Sequence, residues 1–359
     1  MPNFNGGWDI LGWNILGGDI FRQLKMISLP NEAKLDVLKC LDFNQLSSIK
    51  LTNFYFRNLI NKYEGELARM KFYKLFLVKE NPRFVNNIVD LESGPFNFTL
   101  NDQLKEKWQA AVDKSIPLFL NIVEHGRNFV CINKTKYSPT GKEPRYLLKL
   151  PKFPKNIEEM VIVRCWLEHL FNYAFEIASF SESVFNPQMI NILFDNDKTI
   201  PLQFNIQTGI LGVYKELFEN ILKFSLNHFF VSEFLRIELI DVNFAEQHTN
   251  ILFNILINEG NEFTKIYLNG FDLSKLYDLI TEYIATSRDF SRMVLVFNLH
   301  SVCTFKLNGR AENVEIKQQS EVKYTKYQIA NIYNPKVNFS FYSEESDESI
   351  YIKIRKMKE

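Results

Sequence analysis

The chain has 359 residues, 46% of them hydrophobic and 14% aromatic, and its 42 Lys and Arg balance 42 Asp and Glu. That length accommodates two domains with a sizeable core, and the charge balance leaves no global field to favour DNA, RNA or an anionic membrane. Four scattered cysteines (Cys40, Cys131, Cys165, Cys303) make no CxxC spacing, which argues against a disulfide framework or a Cys-rich zinc site and fits a reducing compartment.

Residues 1–26 combine glycine pairs with aromatics (Gly6-Gly7-Trp8, Gly12-Trp13, Gly17-Gly18) and read as a flexible leader. They lack the basic and apolar regions of a secretory signal. No apolar run approaches the roughly 18–20 residues that span a bilayer, so the expectation is a soluble protein, cytoplasmic or nuclear. Residues 27–76 read as three short amphipathic helices. Pro30 suits a first helical position, and Leu35, Leu38 and Leu41 share one face. A second helix carries Leu46 and Ile49. A third begins near Asn53 as a cap and lines up Phe56, Leu59, Ile60 and Tyr63. So small a unit builds little core alone, which leaves two readings: an apolar face completed by a partner, or a helical subdomain packed on the rest of the chain. Residues 31–80 hold nine Lys or Arg against six Asp or Glu, a mild basic excess.

The run Leu29-Pro30-x-Glu32, followed by Leu35, Val37, Leu38, Leu41, Asp42 and Leu46, resembles the F-box, a motif that joins substrate adaptors to Skp1 in cullin-based ubiquitin ligases. The likeness covers about Leu29 to Leu59 and departs late, with Tyr55-Phe56 where the family often has a basic residue and Trp. Residues 61–67 are similar to a divergent group of nematode F-box proteins. The resemblance implies Skp1 binding through Leu29, Pro30, Leu35, Leu38, Leu41, Leu46 and Ile49, with some of these holding the helices together instead. It implies a cullin beyond Skp1, no cofactor, and ubiquitin transfer carried out by partner enzymes rather than by this chain.

Residues 77–154 read as a linker with a helix over Leu100–Val112, capped by Asn101, then short strands near Leu118–Val123, Phe129–Ile132 and Tyr146–Leu148. Within residues 155–310, three segments share an apolar-x-basic-apolar-x-Leu pattern: Phe234–Leu239, Phe263–Leu268 and Phe290–Leu295, spaced 29 and 27 residues apart. Helical patterns at 247–258 and 274–286 separate them. A strand and a helix repeated at this period fit a degenerate leucine-rich-repeat-like array, in which neighbouring units share a core that none can build alone. Met189–Phe194, followed by a helix over 211–224, reads as an earlier unit, and Met160–Cys165 as another. The outward row of the strands (Arg236, Glu238, Lys265, Tyr267, Arg292 and Val294) is then the surface offered to a target, and its basic residues favour an acidic or phosphorylated one. Residues 311–359 close with alternating Val337, Phe339, Phe341 and Ile350, Ile352, Ile354, a β segment around an acidic loop.

Catalytic signals are thin. Cys165 and His169 stand four apart with Glu168 between, two groups without a third, and read as buried structural residues. Asp195-Asn196-Asp197 lacks the glycine and terminal carboxylate of a calcium loop. No phosphate-loop, dinucleotide or HExxH motif is present. The fold expected is α+β: a three-helix F-box, an α/β solenoid of leucine-rich-repeat type and a short C-terminal β segment. The function expected is a non-catalytic substrate adaptor binding Skp1 and an unknown protein target, without nucleic acid or membrane. The alternative is a repeat-based binding scaffold that acts outside a ligase.

Overall fold

The computed structural model describes residues 29–52, 54–63, 66–78, 87–89, 100–122, 128–136, 145–195, 200–240, 246–260, 262–303 and 305–357. The leader and Asn53, read above as a helix cap, lie outside them.

Three helices open the described chain: α1 (Asn31–Lys39), α2 (Phe43–Thr52) and α3 (Phe54–Lys62). Pro30 precedes α1 as its cap residue at φ −56°, one position earlier than expected. The start of α2 is a capping box. Asp42 Oδ1 accepts from the Gln45 N–H at 2.9 Å, and Gln45 Oε1 accepts from the Asp42 N–H at 3.0 Å, so two orphan donors are satisfied reciprocally. Leu38, Leu46, Phe56, Leu59, Ile60 and Leu67 form a small core separate from the main one. Lys39 and Glu66 close it with an exposed ion pair at 2.7 Å.

The rest of the chain is a mixed α/β structure around one 13-stranded sheet with the order β12-β13-β14-β15-β11-β10-β9-β8-β6-β1-β4-β5-β2. Its centre is parallel: β1 (Lys71–Val78), β6 (Ala174–Phe180), β8 (Phe204–Val213), β9 (Phe229–Leu239), β10 (Lys265–Gly270) and β11 (Val296–Ser301). Helices α6 (Pro187–Phe194), α7 (Phe218–His228), α8 (Glu246–Asn258) and α9 (Ser274–Thr286) connect strands that are neighbours in space. Ala178, Gly209, Leu235, Ile266 and Phe297 stand abreast, so the chain advances 31, 26, 31 and 31 residues from strand to strand. Antiparallel strands flank this centre. On one side are β12 (Glu312–Gln319), β13 (Val322–Ala330), β14 (Asn338–Glu345) and β15 (Ile350–Lys356), and on the other β4 (Phe129–Asn133) and β5 (Arg145–Leu148), with β2 (Asn87–Val89) parallel to β5. A two-stranded sheet pairs β3 (Phe119–Asn121) with β7 (Ser183–Phe185).

Burial alternates along the strands. Leu235 and Ile237, Ile266 and Leu268, Phe297 and Leu299, then Ile352 and Ile354 point into one core with Leu222, Ile255, Leu256, Ile280 and Ile284 of the helices. The other face is largely open. It is closed near β4, where Phe129, Cys131 and Leu147 gather with Phe76 and Val78. The main core runs from Phe72 to Ile354, so segments 77–154, 155–310 and 311–359 all contribute to it.

Three strand expectations are corrected. Met160–Cys165 lies in helix α5 (Ile157–Asn172), because Asn156 caps it by accepting from the Glu159 N–H at 2.8 Å. Met160, Val163, Leu167, Leu170 and Phe171 then bury along it, and α4 (Asp102–Asp113) lies beside it. Met189–Phe194 lies in α6, where Asn186 caps and Pro187 takes the first turn. An apolar run of six cannot reveal its own period, and the caps decide it. The helix expected over 211–224 starts later, since β8 continues through Val213. The third repeat strand is β11, not Phe290–Leu295; Met293 and Val294 are buried in the turn before it.

Asn331 ties the C-terminal strands to this frame. It is 1% exposed; its Nδ2 donates to the Ile284 and Ser287 carbonyls at 2.9 and 2.8 Å, and its Oδ1 accepts from the Tyr333 and Asn334 amides at 3.0 Å. Asn331→Ala strands two carbonyls at the end of α9 and two amides of the turn after β13, and is expected to cost about 3 kcal/mol. The measurement is a denaturant midpoint, with far-UV circular dichroism of the native state unchanged.

Candidate functional site

The open face of the sheet carries a row of accessible polar and aromatic groups. One register row reads, strand by strand from β8 to β12, Ile210, Arg236, Tyr267, Asn298, Lys353, Tyr342, Lys326 and Glu315. Neighbours in and beside the row hold one another. The Arg236 guanidinium sits 5.0 Å from the Tyr267 ring centre and pairs with Glu238 at 2.8 Å. Tyr267 stacks on Tyr351 at 6.3 Å, and Lys265 lies 5.2 Å from the Phe234 ring. Lys326 stands 5.8 Å from the ring of Tyr342, whose hydroxyl donates to Glu344 at 2.7 Å. That bond to a carboxylate, more than desolvation, pushes the Tyr342 phenol up to about 12, so it stays a neutral donor. Asn298 is 4% exposed, and its Oδ1 has no hydrogen-bond partner among the described residues.

The row deepens over β12–β15 into an open depression of about 610 Å³, lined by Asn313, Glu315, Lys326, Gln328, Ser340, Tyr342, Lys353 and Arg355. Lys326, Lys353 and Arg355 make no ion pair among the described residues. Three cations face one carboxylate, Glu315, so the depression favours an anionic ligand. Sequence reading overlooked these residues, although the signal was available: once Phe339, Phe341, Ile352 and Ile354 are assigned inward, period 2 sends Tyr342, Lys353 and Arg355 outward.

Of the expected target-facing residues, Arg236, Glu238, Lys265 and Tyr267 share this face. Arg292 does not, because it lies in the turn before β11, where its carbonyl accepts from the Gly260 amide at 2.8 Å. Val294, read as outward, is fully buried.

The structure divides the N-terminal set. Leu38 and Leu46 lie in the small core, and Leu35, Leu41 and Ile49 are partly buried against it. Leu29 and Pro30 are exposed. Large apolar residues absent from the expected set are exposed as well, with Leu51 at 84% and Phe54 at 75%. Lys34 is 5% exposed, and its Nζ donates to the Tyr55 hydroxyl at 2.6 Å.

Among the described residues no group of three His, Cys, Asp or Glu is placed to hold a metal ion. Cys165 and His169 both lie on α5, where His169 meets Trp166 edge-on at 5.9 Å and stacks with Tyr173 at 6.4 Å. Burial, then the Glu168 charge, pushes the Cys165 thiol up to about 11, opposite to the activation of a nucleophile. No helix among the described residues is long and apolar enough to cross a membrane.

Residues 89–240 match the family model of a domain of unknown function, DUF8381. The match runs from β2 to the end of β9 and stops short of the cationic depression. No curated protein and no solved structure matches the chain.

Thiol accessibility is directly measurable. Alkylation mapped by mass spectrometry near pH 8 is expected at exposed Cys40 first, with buried Cys131 protected until the chain unfolds and half-buried Cys165 slow because its thiol stays protonated. Cys165 labelling is expected to accelerate only as pH approaches 11, where its thiolate forms.

Proposed function

We propose that the chain is a non-catalytic substrate-recognition adaptor, binding Skp1, and a cullin through it, by residues 27–76 and binding a protein target on the open sheet face. The observation that carries this reading is the separation of the two apolar systems. The N-terminal helices close a core of their own while leaving Leu29, Pro30, Val37, Leu51 and Phe54 in water. A main sheet covered by helices on one face, with neighbouring strands joined in chain order through α6–α9, supports the leucine-rich-repeat-like reading of the second part. Its exposed face supplies polar and aromatic groups, which suits recognition.

Co-expression with Skp1 tests the first half. The two chains are expected to elute together from a sizing column, and Leu29→Ala with Pro30→Ala is expected to separate them while the main sheet stays folded. Co-elution retained in that variant, or absent in the wild type, counts against the assignment. In the second case the binding-scaffold reading would remain, since the cationic face does not depend on the helices.

The target is expected to present an acidic segment. A labelled poly-glutamate peptide should bind the full chain at low salt, weaken as salt screens it, and lose at least about tenfold in affinity with Lys353→Glu and Arg355→Glu together. Equal binding by that variant would remove the depression from the reading.

A further inference from the structure

The sheet ends at β12, and this edge is unusually bare. All eight residues from Glu312 to Gln319 are exposed, and none belongs to the core. Val314 and Ile316, 41% and 59% exposed, project on the helix side of the sheet beyond α9, which reaches β13. Natural sheets blunt such edges with bulges, proline or inward charges. Here the irregularity falls between Glu312 and Glu315, with Asn313 at φ 52°, and the run from Glu315 to Gln319 is regular.

The hydrogen-bonding register of that run follows from its turn. Gln319 pairs with Val322 across the two-residue loop Ser320-Glu321, and only Ser320 of these two has positive φ, at 55°. This is the pattern of a type II′ hairpin, which closes on a hydrogen-bonded pair. Counting back by twos, Lys317 and Glu315 turn their backbone groups toward β13. Ile316 and Gln318 turn theirs to the free edge.

We infer that β12 pairs antiparallel with β12 of a second copy of this chain, centred on Ile316. Two-fold pairing there sets Ile316 opposite itself as a reciprocal hydrogen-bonded pair. It places Glu315 opposite the partner's Lys317 and Lys317 opposite the partner's Glu315, so both cross-strand pairs are of opposite charge. Centring one residue later would set Lys317 against its own copy. The strand is therefore self-complementary in one register. Pairing covers Ile316 and continues the open face across the two-fold, with the two Lys326 rows roughly 14 Å apart at ordinary strand spacing. This assembly is independent of Skp1 binding.

Light scattering on the full chain during gel filtration reads the outcome. The wild type is expected at twice the 42.3 kDa chain mass. Ile316→Lys, Glu315→Lys and Lys317→Glu should each give monomer, because each removes the apolar centre or sets like charges face to face. Glu315→Lys combined with Lys317→Glu should restore the dimer by exchanging the charges. A wild-type chain that is monomeric at every concentration overturns the inference, as does a dimer indifferent to all three single substitutions. The four variants alter exposed side chains outside the core, so loss of folding does not confound the reading.

Discussion

A sheet with a parallel centre and antiparallel flanks, packed against helices on one face among the described residues, is the constraint on which the rest of the molecule depends. Parallel sheets are ordinarily covered on both sides, and their strands read as continuous apolar runs. Here β9, β10 and β11 alternate instead, with Leu235, Ile266 and Phe297 inward and Arg236 and Tyr267 on the opposite face. The uncovered face must remain compatible with water over a wide expanse. It does so with long amphipathic side chains whose stems and rings lie along the strands while their polar ends stay hydrated. Cation–ring contacts and the Arg236–Glu238 pair organise that surface, but in such exposure each contributes little stability. Their consequence is a polar, ring-lined surface that no helix among the described residues covers.

The covered face is closed by aromatic packing where the spacing between strands is least regular. Phe171, Phe180, Phe185, Phe204, Phe224 and Phe229 form a cluster with ring centres 4.8–6.4 Å apart, mostly edge-on or tilted. The same region contains the shortened 26-residue advance, in which α7 runs directly into β9. Gly209 permits this closeness. A Cβ there would stand 2.9 Å from Leu235 Cδ1 and 3.5 Å from the Phe229 ring. Bulky rings from several elements fill the irregular volume that a shorter unit leaves, and the absence of one methyl lets the Leu235 and Phe229 side chains pack over β8. A strict repeat motif is accordingly absent from this stretch of sequence.

What was legible in the sequence follows from which signals are local. Alternation in Phe234–Leu239 and Phe263–Leu268 gave strands in the right places, and Asn101 announced α4, accepting from the Leu104 N–H at 2.8 Å. Phe290–Leu295 carries the same alternation yet forms a turn, because Met293 and Val294 bury while Val294 donates to the Leu256 carbonyl at 2.9 Å. A tertiary contact overrode a short pattern. Met160–Cys165 is rich in β-branched residues and still helical, since a sixteen-residue helix buried on several sides needs no polar face to show its period. The candidate site divides the same way. Its parallel half was visible as an outward row. The antiparallel half required knowing that β14 and β15 join the same sheet as β11, a non-local pairing that spacing alone does not encode.

The N-terminal helices show why a docking set cannot be separated from a core by periodicity. Leu35, Leu38 and Leu41 repeat every third residue, but the helix ends at Lys39, so Leu41 falls beyond it, and of the three only Leu38 reaches zero exposure. Leu46 and Phe56 meet it from the other two helices, completing a core of only a few side chains. So small a core is marginal without outside support. Leu51 and Phe54, in water on either side of the α2–α3 junction, are the apolar surface that a partner would cover to provide it. Isolated exposed apolar residues are ordinary, but here they accompany a unit whose own core is small. Partner binding and stability would therefore be coupled in this segment, because whatever covers these residues adds to the apolar area that holds the three helices together.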